Sequence, residues 1–179
     1  MPAVTLLRID EALTAEVGDI ARLERSRGIR VGAAGPTLVD IVAQSEAYFR
    51  SIGAPPQWGG FLAVDAGTRA VVGTCAFKGG PGPDGWVEIA YVTFPEFEGR
   101  GYATAMAGAL VALARDSGEV VTVRAHTLPE RNASGRVLTK AGFTLLGEVE
   151  EPEDGTVWRW ERPAGDLPVE PVEKGPARG

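Results

Sequence analysis

The first third of the chain has the hydrophobic spacing of one strand followed by two helices. Alternating apolar residues predict a short strand over residues 4–9. Apolar residues then recur every three or four positions over residues 11–24, which predicts one helix. Pro36 and Thr37 supply a start signal for a second helix that continues to about residue 52, where Gly53 ends it. We expect both helices to pack on a sheet.

From residue 60 the pattern changes to that of strands. Residues 61–64 and 70–77 flank a polar turn and predict a hairpin. A further strand over residues 86–93 is mostly apolar on both faces. Such a strand is covered on both sides, so we expect it at the centre of the sheet.

A strand–helix–strand unit follows in the middle of the chain. Residues 101–117 carry an apolar stripe at helical spacing, and Gly118 provides a stop. Residues 120–125 then read as a buried strand. This order predicts a parallel pair with a right-handed crossover, whose ligand crevice lies at the carboxyl ends of the two strands.

The last elements close the sheet. A helix is predicted over residues 132–141, followed by an antiparallel pair over residues 143–149 and 156–160. The chain beyond that pair is rich in proline and glycine and has few large apolar residues, which is typical of a flexible tail. We therefore predict a single domain over residues 1–162 and a tail over residues 163–179.

Composition narrows the classes of function. A chain of 179 residues can bury the core of one domain. Its net charge of −6 lacks the basic surplus that nucleic-acid binding needs, so we expect no nucleic-acid partner, and an amine-bearing partner fits better. The single cysteine, Cys75, cannot form an internal disulfide or a multi-thiolate metal site. No stretch reaches membrane-spanning length, so we expect a cytoplasmic protein without a membrane partner.

A glycine-rich turn joins the central strand to the helix after it, Glu98-Gly99-Arg100-Gly101-Tyr102-Ala103. Glycines let the backbone turn tightly and approach a ligand closely. The free amide groups and the positive dipole end of the following helix attract negative charge. The turn therefore predicts a cradle for pyrophosphate, although two glycines also occur where a strand merely turns into a helix.

A second motif lies downstream, Asn132-Ala133-Ser134-Gly135-Arg136-Val137-Leu138-Thr139-Lys140-Ala141-Gly142-Phe143. Together with the turn and the strand–helix–strand unit, it resembles the GNAT superfamily of N-acetyltransferases, and within it the Rim-type ribosomal-protein acetyltransferases. The resemblance covers residues 60–161. It implies an α/β fold of the acyl-CoA N-acyltransferase type, with a mixed, mainly antiparallel sheet, a central parallel splay and flanking helices. It also implies acetyl-coenzyme A as co-substrate and no metal.

The acetyl-coenzyme A loop of this superfamily has the pattern Gln/Arg-x-x-Gly-x-Gly/Ala, and the resemblance places it on residues 98–103. Glu98 departs from the pattern at its first position. In such a loop the backbone amides bind most of the phosphate oxygens, and Arg100 supplies positive charge. In the family the pantetheine arm bonds to backbone after the central strand. The implied cofactor-binding residues are Tyr91, Val92, Thr93, Glu98, Gly99, Arg100, Gly101, Tyr102, Ala103, Thr104, Asn132 and Ser134.

Glu88 is the candidate general base, acting directly or through water. It is an acid on a strand that is otherwise apolar, and burying an unpaired carboxylate is costly unless it has partners or a catalytic use. Acetyl transfer to an amine needs the nucleophile neutral, which a positioned carboxylate can achieve. The alternative is a structural glutamate bonded to nearby backbone or to an arginine.

Two further catalytic candidates follow the second parallel strand. Many members of the superfamily protonate the departing thiolate with a tyrosine, but the corresponding helix has none here, and Rim-type members offer serine. Ser134 is therefore the implied acid or hydrogen-bond donor, and Asn132 the partner of pantetheine or substrate. Both are also preferred helix N-caps. His126, the single histidine, is a candidate proton relay or substrate contact, or a structural residue.

The predicted reaction is direct acetyl transfer from acetyl-coenzyme A to a primary amine of a small molecule or a protein N-terminus, by a monomer or homodimer. A catalytically degenerate acyl-CoA-binding sensor or interaction module stays open, because of Glu98 and the missing tyrosine. A dinucleotide oxidoreductase is disfavoured, since the third glycine and the ribose-binding acid of that fold are not found after Gly101.

Overall fold

The computed structural model describes residues 1–165 as seven β-strands and five α-helices. The strands are β1 (Val4–Arg8), β2 (Gly60–Asp65), β3 (Val71–Phe77), β4 (Trp86–Thr93), β5 (Thr122–Thr127), β6 (Thr144–Glu151) and β7 (Gly155–Pro163). The α-helices are α1 (Glu11–Glu16), α2 (Ile20–Arg27), α3 (Gly35–Ile52), α4 (Tyr102–Ser117) and α5 (Ala133–Lys140). Single 3-10 turns occur at Gly32–Ala34, Pro56–Trp58 and Pro95–Phe97.

The strands form one sheet in the spatial order β1-β2-β3-β4-β5-β7-β6. Neighbouring strands are antiparallel except β4 and β5, which run parallel. Helix α4 connects these two strands. The mixed sheet with a parallel pair at its centre confirms the prediction from the sequence.

Helices pack on both faces of the sheet. On one face, α4 and α5 bury Leu110 and Leu138 against the strands. On the other face, α1, α2 and α3 form a second core in which Leu38 packs with Leu62 of β2. Within residues 1–165, this second core takes no member from β5, β6 or β7. The apolar core beneath these helices is therefore confined to the β1 half of the sheet.

The single helix predicted over residues 11–24 is wrong, because the chain forms two helices there, α1 and α2. The side chain of Asp19 accepts a hydrogen bond from the Arg22 N–H at 3.0 Å and caps α2. A capping aspartate holds its own backbone outside the helical region, which interrupts the helix. Helix α2 then continues to Gly28, which ends it in the left-handed conformation.

The final strand extends past residue 162, where the predicted domain ended. Pro163 lies opposite Thr122 of β5, and the Ala164 N–H donates to the Val121 carbonyl at 2.9 Å. Ala164 is also buried in the core. The packed chain therefore includes two residues that were predicted to belong to the tail, because pairing with β5 continues to the first residue of that strand. Residues 166–179 of the predicted tail lie outside the described residues.

Strands β4 and β5 are paired over only three positions. Trp86, Val87 and Glu88 lie opposite residues 122–124, and the two strands then diverge. On its other side β4 stays paired with β3 as far as Thr93. Beyond Glu88, the edge of β4 that faces β5 therefore has backbone groups without a strand partner, which need a ligand or water.

Asp65 ties the end of β2 to the start of α4. Its Oδ1 accepts hydrogen bonds from the N–H of Thr68 at 2.6 Å, from the Thr68 hydroxyl at 2.8 Å and from the N–H of Gly67 at 3.1 Å. Its Oδ2 accepts from the Tyr102 hydroxyl at 2.8 Å. The bonds from Thr68, then that from Tyr102, hold the pKa of Asp65 below its usual value. This carboxylate thus joins a hairpin turn to the first turn of the helix.

We expect Asp65→Asn to lower the free energy of unfolding by about 1–3 kcal/mol at pH 7, because the donors from Gly67, Thr68 and Tyr102 lose a charged acceptor. Since the pKa of Asp65 is lowered in the folded state, its contribution is complete above the unfolded pKa of about 3.9 and is lost as pH falls through the folded pKa. Urea unfolding at several pH values measures the difference from wild type. The difference should stay constant from neutral pH to about pH 5 and shrink below about pH 4.

Asp84→Asn is the matched control, since Asp84 is exposed in the loop before β4. It removes the same charge and should leave the unfolding free energy within about 0.5 kcal/mol of wild type. A difference between wild type and Asp65→Asn that grows on acidification would contradict the assignment.

Candidate functional site

A groove of about 550 Å³ opens where β4 and β5 diverge. Its walls are the end of β4, the turn before α4, the first turn of α4 and one side of α5. Ten of the predicted cofactor-binding residues line it: Tyr91, Val92, Thr93, Glu98, Gly99, Gly101, Tyr102, Ala103, Thr104 and Ser134. The structure thus brings together residues from both sequence motifs.

The turn at the head of the groove requires glycine at two positions. Gly99 has a φ of +71° and Gly101 a φ of +86°, both in the left-handed region that other residues rarely adopt. Gly101 is the N-cap of α4 and provides no side chain to occupy the free amides of the first turn. Those amides and the dipole of a 16-residue helix form a site for an anion.

Thr93 contributes an unsatisfied polar atom to the groove. Its Oγ1 is buried and has no hydrogen-bond partner within residues 1–165. Its neighbour Val92 is 57% exposed, which is unusual for a residue of a central strand. An extended polar ligand lying along the free edge of β4 would pair with the free backbone groups of that edge and cover the exposed Val92 side chain.

Two predicted binding residues do not line the groove. Arg100 is exposed and lies over the Phe97 ring, 5.9 Å from its centroid. Asn132 is the N-cap of α5, and its Oδ1 accepts the Gly135 N–H at 2.9 Å. Capping therefore accounts for Asn132, whereas Ser134 lies exposed on the groove wall and is not the cap.

The two tyrosines of the groove have different surroundings. Tyr91 packs against the core below α4, and burial raises the pKa of its phenol to about 12. The pKa of Tyr102 is raised by burial and by the hydrogen bond to Asp65. Both phenols therefore stay protonated at neutral pH. On the facing wall, α5 contributes the cations Arg136 and Lys140.

A second cavity, of about 300 Å³, lies beside the same strand. Glu88, His126 and Lys78 line it together with Tyr48 from α3 and residues of the β6–β7 turn. Glu88 is the last residue of β4 that pairs with β5, so it lies where the two strands begin to separate. The groove reaches β4 at Tyr91, three residues further along, which corresponds to roughly 10 Å of strand.

Glu88 is held by two neighbours within this cavity. Its Oε1 lies 2.9 Å from the Lys78 ammonium and 3.0 Å from His126 Nδ1. Burial disfavours the charged form of Lys78, but the hydrogen bond and charge of Glu88 outweigh that effect and raise the pKa of Lys78. A half-buried carboxylate with one oxygen bound in this way can still accept a proton on the other.

Three charged residues beside Glu88 and His126 were missed by the sequence analysis, namely Lys78, Glu151 and Arg159. Arg159 donates from Nε to His126 Nε2 at 3.3 Å, and its terminal nitrogen lies 3.0 Å from Glu151 Oε1. These contacts depend on strand register: β7 places Arg159 opposite His126. The one feature of the sequence that could have indicated these contacts is the presence of charged side chains on strands next to the centre of the sheet.

Within residues 1–165, no group of three or more His, Cys, Asp or Glu side chains could hold a metal ion. The helices of that segment include none with the length and apolar character needed to cross a membrane. Cys75 is buried, which raises the pKa of its thiol to about 12 and makes it a poor nucleophile.

The chain matches a family of known proteins. A family profile described as "Acetyltransferase (GNAT) domain" matches residues 13–144, which is well over half of the chain. No curated protein matches at a significant level.

Several solved structures share the fold. An acetyl transferase from Salmonella typhimurium that modifies the N-terminal serine of ribosomal protein L7/L12 is 16% identical, with a TM-score of 0.63 over 90% of this chain and 95% of that one. The ribosomal-protein-S5-alanine acetyltransferase from Vibrio fischeri is 16% identical, with a TM-score of 0.59 over 91% and 93%. The microcin C7 self-immunity acetyltransferase MccE, solved with acetyl-CoA and AMP, is 17% identical, with a TM-score of 0.62 over 90% and 92%. At these identities the likeness shows the fold.

We expect Gly99→Ala to destabilise the protein by about 1–2 kcal/mol, because a side chain at a φ of +71° strains the backbone. Gly108→Ala is the matched control. In both positions an added Cβ meets nothing within 4 Å, but Gly108 lies in the interior of α4, where alanine stabilises by up to about 1 kcal/mol. Thermal unfolding should therefore move the two midpoints in opposite directions. Equal midpoints for the two variants would contradict the requirement for glycine at residue 99.

Proposed function

The chain belongs to the acetyltransferase (GNAT) family, and from this premise we propose that it transfers an acetyl group from acetyl-coenzyme A to a primary amine. One observation carries the proposal. A groove suited to a long phosphate-bearing ligand and a cavity holding a carboxylate lie along the same strand, at the point where that strand leaves its parallel neighbour.

The groove suits the parts of acetyl-coenzyme A in order. The free amides of the first turn of α4 suit the pyrophosphate, and Arg136 and Lys140 face it from α5. The unpaired edge of β4 suits the amide groups of the pantetheine arm. From Thr93 back to Glu88 is five residues of strand, roughly 17 Å, which suits an extended arm that ends in a thioester.

The chemistry follows from this placement. Glu88, through its second oxygen, removes the proton from the acceptor ammonium, directly or through water. The neutral amine nitrogen attacks the thioester carbonyl, so that a C–N bond forms and the C–S bond breaks, and the second proton lost by the nitrogen passes to the departing thiolate, which leaves as the free thiol. Ser134 on the groove wall offers a hydroxyl to the departing thiolate. The transfer is direct and leaves no acetyl group on the enzyme.

The cavity around Glu88, where the acceptor would enter, suits a positively charged amine. The exposed acids Glu153 and Asp154 lie at the rim of the cavity. A negative rim attracts an ammonium group and disfavours an acidic acceptor. Both protein N-termini and small amines meet this description, and two solved structures of the same fold are of enzymes that act on ribosomal proteins.

A non-catalytic acyl-CoA sensor is the second candidate. The observation that favours it is Glu98, which lines the groove at the position where the family has a glutamine or an arginine. A negative side chain there weakens phosphate binding unless it turns towards solvent. This candidate predicts binding of acetyl-coenzyme A without turnover of any amine.

We expect Ala103→Glu to raise the Kd for acetyl-coenzyme A by about tenfold or more, measured by calorimetry. The new carboxylate lies in the first turn of α4, where it suits the helix dipole but repels the phosphates. Leu113→Glu is the matched control, since it adds the same charge at a 42% exposed position of the same helix, away from the groove. It should bind like wild type. Failure of the wild-type chain to bind acetyl-coenzyme A would refute the acetyltransferase proposal.

We expect Glu88→Gln to lower kcat by about 10²-fold or more, while the KM for acetyl-coenzyme A changes less than about twofold. Turnover is followed as free thiol released with a panel of N-terminal peptides, polyamines and simple alkylamines. Glu148→Gln on the exposed side of β6 is the control and should be unaffected. Equal kcat for wild type and Glu88→Gln would remove Glu88 as the base, and no turnover with any amine would favour the sensor.

A further inference from the structure

Both ring nitrogens of His126 are engaged by other side chains. Nδ1 lies 3.0 Å from Glu88 Oε1, and Nε2 lies 3.3 Å from Arg159 Nε. The histidine side chain is only 8% exposed. The imidazole is therefore held from two sides, by a strand on each flank, and is nearly closed off from solvent.

The partner of Nε2 decides where the histidine proton lies. A guanidinium group has N–H donors and no acceptor, so Nε2 must be the acceptor of the bond from Arg159. A neutral imidazole has one N–H, which is then on Nδ1 and points at the Glu88 carboxylate. Glu151 Oε1 lies 3.6 Å from Nε2, too far for a hydrogen bond, and is instead bound to Arg159 at 3.0 Å.

We propose that Arg159, anchored by Glu151, fixes His126 as the Nδ1-protonated tautomer, so that His126 is a hydrogen-bond donor that positions Glu88 and is not a proton relay. Arg159 and His126 are positioning residues in this arrangement, and Glu88 is the group that meets the substrate.

The charges around the ring agree with this assignment. Lys78 and Arg159 are cations, and Glu88 and Glu151 are anions, so the four charges balance when the imidazole is neutral. A second ring proton would lie on Nε2 and point at the guanidinium, where two donors would face each other. The tautomer is therefore set by a cation on one side of the ring and a carboxylate on the other.

The consequence for catalysis concerns the two oxygens of Glu88. Lys78 and His126 both contact Oε1, which orients the carboxylate and leaves Oε2 as the oxygen for the acceptor ammonium. A proton taken up by Oε2 cannot pass to Nδ1, which already has one, and it leaves to solvent through the cavity. The role of His126 in positioning Glu88 for catalysis rests on the proposed function, whereas the assignment of the tautomer does not.

The tautomer can be measured directly because His126 is the single histidine of the chain. We expect ¹⁵N NMR of the imidazole at about pH 8, where an ordinary histidine is neutral, to show Nδ1 protonated and Nε2 unprotonated. Arg159→Met removes the donor to Nε2 and should move population towards the Nε2-protonated form, with Glu151 as its new acceptor. Arg115→Met, an exposed arginine at the end of α4, is the control and should leave the ratio unchanged.

Wild-type protein with its proton on Nε2 would overturn the proposal, and this result needs no variant to fold. An unchanged tautomer ratio in a folded Arg159→Met protein would show that Arg159 does not fix the tautomer of His126.

A pair of amide variants tests the role of His126 in positioning Glu88 for catalysis. In His126→Asn the side-chain amide lies near the position of Nδ1 and can still donate to Glu88, whereas the amide of His126→Gln reaches the position of Nε2. We expect kcat of His126→Asn to exceed that of His126→Gln by about tenfold or more, with similar KM for acetyl-coenzyme A. Equal losses in the two variants would contradict the donor role. Absence of turnover by wild type would refute the proposed function and leave the NMR assignment standing.

Discussion

Hydrogen bonding between β4 and β5 stops after three residue pairs, and the site depends on that early end. A parallel pair that continued to Thr93 would satisfy the backbone of β4 internally and would leave no edge for a ligand. Because β4 is held on its other side by β3, the strand stays in place while its free edge is exposed. The groove, the buried Thr93 hydroxyl and the location of Glu88 at the point of divergence all follow from this arrangement.

The two ends of the site have opposite electrostatic character. Backbone amides, a helix dipole and the cations of α5 favour negative charge in the groove. The cavity around Glu88 has a paired interior and an acidic rim, which favours a positive ligand. Under the proposed function, an anionic donor and a cationic acceptor would enter by separate openings beside one strand. The net charge of −6 does not reveal this difference between the groove and the cavity.

Sequence reasoning succeeded where the determinants are local. Gly99, Gly101 and the start of α4 lie within a few residues of one another, so turn chemistry and helix signals were enough to predict the glycine-rich turn and the helix that follows it. The contact of Arg159 with His126 joins residues 33 positions apart, and that of His126 with Glu88 joins residues 38 apart. Such contacts depend on which strands are neighbours and in what register. The break at Asp19 was missed for a different reason, because a capping side chain outweighed a continuous apolar stripe.

The uneven cover of the sheet means that its two faces are stabilised in different ways. Helices α1 to α3 take their core from the β1 half, so within residues 1–165 that core has no member from β5, β6 or β7. The face of these strands that carries His126 and Arg159 is instead held by contacts between charged and polar side chains, whereas the groove is fixed by backbone geometry and by the core below α4. A substitution beside Glu88 therefore alters a small number of directional contacts, whereas one below the groove alters apolar packing that many residues share.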